Sequence, residues 1–139
     1  MGEKERRINM IYETIKRTAE AVPELAGSVF PTGACVDDVE APFAIYSFGE
    51  QTEIADLSGN VHHYVDEILI YFFAATYDQV HALYRDAQKK MRSLANAATG
   101  DGQYIFGVTC EADKEDGLDL NLELMTRAMK VTVQWCDLE

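Results

Sequence analysis

The stretch Val61–Ala74, VHHYVDEILIYFFA, decides the fold. Its second half, residues 68 to 73, carries no charge, no glycine and no proline. Read with a period of two, Tyr64, Ile68, Ile70 and Phe72 fall on one face, and Val65, Leu69, Tyr71 and Phe73 on the other. A strand of this composition left at a sheet edge would template aggregation. The expectation is therefore a central strand, paired along both edges and covered on both faces.

Upstream of this strand, Gly49–Asn60 is polar and ends in the turn signal Ser58-Gly59-Asn60, so a loop is expected there. Phe43–Phe48, after Pro42, reads as the preceding hairpin arm. Thr32–Pro42, which holds Asp37, Asp38 and Glu40, reads as a loop, and Val29-Phe30 as a short strand stopped by Pro31. The first helix is marked by Ile8, Ile11, Tyr12, Ile15, Ala19 and Val22 at helical spacing, with Glu13 and Arg17 able to pair on the outer face. Pro23 ends it. Residues 1–7 are expected as a flexible N-terminal extension.

Downstream, Thr76 and Gln79 make a capping-box pair, and Asp78 sits in the first turn. Val80, Leu83, Tyr84, Ala87, Met91, Leu94, Ala95 and Ala98 follow as the apolar stripe, with Lys89, Lys90 and Arg92 at the C-terminal end. Gly100 and Asp101-Gly102 turn the chain. Tyr104, Phe106, Val108 and Cys110 alternate as a strand, and Met125, Met129, Val131, Val133 and Trp135 as another. The acidic stretch Glu111–Asp119 is expected to be the loop between them. The order helix, strands, helix, strands, with hairpin-length connections, predicts an α+β fold: one domain over 1–139, an antiparallel sheet with two main helices packed on it.

The chain of 139 residues carries a formal net charge of −12, from 24 acids against 12 bases. That balance argues against direct binding to nucleic acid or anionic lipid. The longest apolar run, Ile68–Ala75, is far short of the roughly 20 residues a spanning helix needs. The charged N-terminus has no apolar segment after it and is not read as a signal peptide. Cys35, Cys110 and Cys136 are widely spaced and odd in number, which suits a reducing compartment and a role as small core fillers.

Catalytic and metal motifs are not found in the sequence. His62 and His63 point to opposite faces of a strand and cannot chelate one ion together without a bulge. His81 reads as solvent-facing. Asp37, Asp38 and Glu40, and likewise Asp113, Glu115, Asp116 and Asp119, lack the ligand spacing of a calcium loop, and read as solvated acidic loops. No nucleophile elbow, glycine-rich phosphate loop or zinc-protease motif is present. The aromatics Tyr71, Phe72, Phe73, Tyr77 and Tyr84 have core spacing, although they are also able to line a pocket. No polar cluster is read inside the apolar face.

Several phrases, in order, resemble the tail-completion or tail-terminator proteins of tailed phages and prophages. They are Ile11-Tyr12 in the opening helix, Val22-Pro23-Glu24-Leu25, Val29-Phe30-Pro31, Pro42-Phe43-Ala44-Ile45-Tyr46, the long apolar strand, and Thr76-Tyr77 opening the second helix. A closing pair of strands follows, and the similarity spans Ile8 to Trp135. The resemblance implies a non-enzymatic structural virion protein located in the tail, and in the host cytoplasm before assembly. It implies a ring of copies of itself, commonly hexameric, that caps the tail tube protein, stops polymerisation and presents the head–tail joining surface to the head connector. It implies no catalytic residue, cofactor, metal, membrane contact or sequence-specific nucleic acid binding. The acidic loops with Asp37, Asp38, Glu40, Asp113, Glu115, Asp116 and Asp119 are then candidates for assembly or for facing a DNA channel. The alternative is a small-molecule-binding or enzymatic α+β domain of the dimeric sandwich type, and a third reading is a host adaptor acting through a sheet edge.

Overall fold

The computed structural model describes residues 3–55, 57–59, 61–99, 102–112, 117–120 and 122–138. Side chains are described for these residues except 3–10, 61 and 62. Helix α1 spans Glu3–Glu20 and is followed by a 3-10 turn at Pro23–Leu25. Residues 3–7, expected as an extension, thus belong to α1. Strands β1 (Val29–Pro31), β2 (Phe43–Ala55) and β3 (Val61–Ala74) come next, then helix α2 (Tyr77–Arg92). The chain closes with β4 (Ala97–Ala98), β5 (Gln103–Ala112), β6 (Gly117–Asp119) and β7 (Leu124–Asp137).

Among the described residues the strands form one sheet in the order β1-β2-β3-β7-β5-β4, with β6 also paired to β7. Strand β3 is central, as expected, with antiparallel partners on both sides. The pairing is antiparallel throughout except at β1, which runs parallel to β2. That exception follows from the connection: the 32–42 segment returns from the far end of β1 to the start of β2, a crossover rather than a hairpin.

Both helices pack on the same face. Ile11, Tyr12, Ile15 and Ala19 from α1 join Val80, Leu83, Tyr84, Ala87 and Met91 from α2 in one core. The side chain of Ile8 lies outside those described. The sheet supplies Ala44, Ile68, Ile70, Phe72, Ile105, Met129, Val131, Val133 and Trp135 to this core. Cover on both faces of β3 is therefore not what forms. Its even-numbered residues from Tyr64 to Ala74 are buried, while Val65, Glu67, Leu69 and Tyr71 are only half-buried. With both helices committed to one side, the other face buries Phe43 and Phe73, whose rings stack 4.8 Å apart at one end, and Ala128 beside Tyr71.

Three expected boundaries move. Strand β2 continues to Ala55, through residues expected as a loop, and only the turn at 57–59 follows. Its polar half pairs with β3 on one edge and has no β1 on the other, so polar side chains are tolerated. Helix α2 stops at Arg92 rather than Ala98. Asn96 turns left-handed at φ 60°, and Ala97–Ala98 pair with β5 instead. The acidic stretch is not one loop either: Glu111 and Ala112 end β5, Gly117–Asp119 form β6, and Leu120, Leu122 and Glu123 stand in turns before β7, with Glu123 at φ 56°. The expected cap of α2 is in place, with Gln79 N–H donating to Thr76 Oγ1 at 3.2 Å.

Two irregularities re-aim side chains. A shift between Ile105 and Gly107 breaks the expected alternation of β5. Ile105 and Cys110 are buried on the helix side, while Phe106 is 45% exposed. A second shift, between Phe48 and Gln51, is built around Gly49. A Cβ there would lie 2.8 Å from the Glu67 carbonyl oxygen and 2.9 Å from Glu67 Cβ. Backbone cannot yield as a flexible side-chain tip can. Gly49→Ala is therefore expected to cost about 1–3 kcal/mol. Gly107→Ala, where nothing lies within 4 Å, is the control and stays within about 0.5 kcal/mol of wild type in denaturant melts. Equal stabilities for the two variants would contradict the close approach at Gly49.

Candidate functional site

The sheet register decides where the acidic segments go. Phe43 pairs with Phe73, Phe73 with Thr126, and Thr126 with Gly117, a single row across β2, β3, β7 and β6. The loop of Asp37, Asp38 and Glu40 enters β2 at this row, and Asp119 ends β6 beside it. Three strand spacings of about 4.8 Å separate the outer members of the row. The structure therefore brings Asp37, Asp38 and Glu40 to the same end of the sheet as Asp119. Asp37, Asp38 and Glu40 are exposed, and Asp119 is half-buried, with Oδ1 accepting from Leu122 N–H at 3.0 Å. Asp113, Glu115 and Asp116 lie outside the described residues. Asp78, in the first turn of α2, follows β3 off the same end. Two leucines project here as well: Leu118 is exposed, and Leu120 is 81% exposed.

A second surface is the sheet face that the helices leave uncovered. Around its middle, Ile45, Leu69 and Tyr71 are half-buried, and Lys130 pairs with Glu67 at 3.2 Å. Toward the far end, Ile54 pairs with His63 and Cys136 with Tyr104, on either side of the last β3–β7 pair, Tyr64 with Trp135. Phe106 meets both His63 and Tyr104 edge-on, at 5.8 and 5.3 Å between ring centres. His63 is thus an aromatic packing residue, and His62 lies outside the described side chains. His81 is not fully solvent-facing: it is half-buried, stacks on Tyr77 at 5.3 Å, and buries its Nδ1. Among the described residues no group of three or more His, Cys, Asp or Glu is placed to hold a metal. The aromatic set divides: Phe72 and Tyr84 pack edge-on in the core at 6.1 Å, Phe73 stacks on Phe43, and Tyr77 is exposed.

An open groove of about 410 Å³ runs between α1 and the end of α2, lined by Thr14, Arg17, Thr18, Ala21, Lys90, Ser93, Leu94 and Thr99. Two cations and no acid among the lining residues suggest an anion. However, the hydroxyls of Thr18 and Ser93 donate to the Thr14 and Lys90 carbonyls at 2.8 and 2.6 Å. Arg17 and Lys90 also stand in the last turns of their helices, where cations offset the carbonyl ends. Helix termination accounts for this polarity.

The feature that sequence reasoning missed is a polar cluster inside the apolar face. Asp66, on the helix side of β3, is 0% exposed. The Trp135 indole N–H and the Gln51 amide both donate to its Oδ2, the latter at 3.2 Å, and Oδ1 has no hydrogen-bond partner. Burial raises its pKa, and the two hydrogen bonds oppose that rise. Tyr12 of α1 stacks on Phe48 at 3.8 Å, and its hydroxyl is pushed up to about 12 by burial and by the charge of Asp66. The only signal in the sequence was an acid at an inward-facing position of β3.

No family model matches the chain, and no similar curated protein is found.

The thiols offer a direct check on exposure. Cys35 is exposed, whereas Cys110 is buried and its thiol is pushed up to about 11 by burial. Burial, then the Asp137 charge, also raises Cys136. With a thiol reagent at pH 8, Cys35 is expected to react first and Cys110 only on unfolding. Rapid labelling of Cys110 in the native protein would place β5 wrongly.

Proposed function

We propose that this chain is a structural subunit of a phage or prophage tail, a tail terminator that closes into a ring on the tail tube. The ring stops tube growth and offers the head-joining surface, and the subunit performs no catalysis. The observation that carries this reading is the lopsided sheet. Two helices cover one face of a central apolar strand, and the other face leaves Ile45, Leu69 and Tyr71 only half-buried. A subunit built this way gains by associating, since each Å² of apolar surface removed from water contributes about 25 cal/mol.

The charge distribution is compatible with a ring. A net charge of −12 per subunit is tolerated in a closed assembly when the acids stand on loops that face water, where charges farther apart than the Debye length of about 8 Å are largely screened. Asp37, Asp38 and Glu40 stand at the same sheet end as Asp119 and Asp78, so that end can border a water-filled channel without attracting phosphate. Tail tube protein, head connector and further copies of this chain are the partners in this reading. Location in the virion tail, after assembly in the host cytoplasm, belongs to it as well.

Light scattering across a concentration series tests the assembly step. The free protein is expected to be monomeric when dilute and to form rings when concentrated or when tail tubes are added. Low salt should weaken ring formation, because the Debye length grows from about 8 Å at physiological ionic strength to about 30 Å at 0.01 M. A tight dimer at every concentration, insensitive to salt and without affinity for tubes, would favour the small-molecule-binding alternative.

A further inference from the structure

We propose that Asp66 is carried in the fold as a neutral carboxylic acid and acts as a proton-held latch between α1 and the sheet. The hydrogen-bond pattern points this way. In a carboxylate both oxygens share the charge, and each calls for donors. Here both donors, Trp135 Nε1–H and the Gln51 amide, converge on Oδ2, while Oδ1 receives none and is buried. A neutral acid leaves only an unpaired hydroxyl at Oδ1, where a carboxylate would leave unpaired charge, so Oδ2 is assigned as the carbonyl oxygen that accepts both hydrogen bonds and Oδ1 as the hydroxyl. An ionised Asp66 would instead be a buried charge without a counter-ion, an arrangement folded proteins avoid.

Among the described residues, the groups around it are uncharged. From α1 comes Tyr12, whose raised pKa keeps it neutral. From β2 comes Gln51, and from β7 Trp135 and Val133. Along β3 the same face continues with Tyr64, stacked on Trp135 at 4.6 Å, and Ile68. The nearby charged pair, Glu67 and Lys130, belongs to the opposite face. No cation among the described residues lowers the pKa of Asp66; burial dominates and the shift is upward.

The device follows from position. Asp66 lies in the sheet beneath α1, close enough that its ionised form raises the pKa of Tyr12. When the proton leaves for solvent, the new carboxylate can be rehydrated only if α1 lifts and water enters. Because the folded pKa lies above the unfolded one of about 3.9, the stabilisation is complete below that value. It is lost as pH rises through the folded pKa. Each unit by which the pKa is raised makes opening about tenfold more favourable once Asp66 has ionised.

Trp135 is the sole tryptophan of the chain, so its emission reports on the acid it touches. Wild-type protein, titrated from acid upward, is expected to show one step in tryptophan emission above the ordinary carboxylate range. Amide exchange in α1 should accelerate across that step, about tenfold for each unit by which the pKa is raised. Asp66→Asn, which keeps an acceptor for Trp135, should show neither change. Should that variant fail to fold, infrared spectra of wild-type protein with isotope-labelled aspartate decide the matter: a protonated carboxyl band should persist after the other aspartates have ionised. Flat emission, the same step in Asp66→Asn, unchanged α1 exchange, or loss of the protonated band in the ordinary carboxylate range would each overturn the latch.

Discussion

Strand β3 must hide an apolar length of chain while leaving no edge open, and the other elements take their places from that requirement. Pairing with β2 and β7 satisfies its backbone on both sides. Ile68, Ile70 and Phe72 are almost wholly removed from water, each contributing about 1.5–3 kcal/mol. These residues need a lid, and α1 and α2 both serve as that lid because they flank the sheet-forming segments in the chain. Once both are on one side, the other face can be shielded only by its own side chains. The stacked Phe43 and Phe73 achieve this at one end, whereas Leu69 and Tyr71 stay half-covered.

Within that frame Asp66 is an exception with consequences. It occupies an inward position between Tyr64 and Ile68, where an apolar residue would pack without penalty. The bulge at Gly49 brings Gln51 opposite it, and the far strand brings Trp135. A fold that supplies hydrogen bonds to one carboxyl oxygen from two separate strands is specified more tightly than apolar packing alone would require. The same cluster makes stability depend on a proton.

Much of this was legible in the residues themselves. The limits of β3 could be read because nothing in residues 68–73 interrupts a period of two, and the start of α2 because Thr76 and Gln79 form a local cap. The fold class followed from element order. The bulges were not legible: a shift of one residue at Phe48/Gln51 or Ile105/Gly107 depends on the partner strand, and alternation counted along one strand continues through it unnoticed. Polar β2 residues looked like a loop because an edge strand and a loop share their composition. Asp66 was hidden for a related reason, since its partner Trp135 lies 69 residues away and no local pattern joins them. Asp37, Asp38, Glu40 and Asp119 were evident as acids, but their common sheet end was not, because only the register through Phe73 and Thr126 relates them.

Half-covered apolar surface and concentrated negative charge pull in opposite directions: one favours association, the other limits how closely copies approach. The proposed ring would reconcile them by putting apolar faces in contact and acidic loops in water. Electron microscopy of tail tubes mixed with the protein tests that account most directly. Rings of this subunit seated on one end of each tube, with elongation halted, are the predicted result. Bare tube ends that continue to grow, with the protein left free in solution, would contradict it.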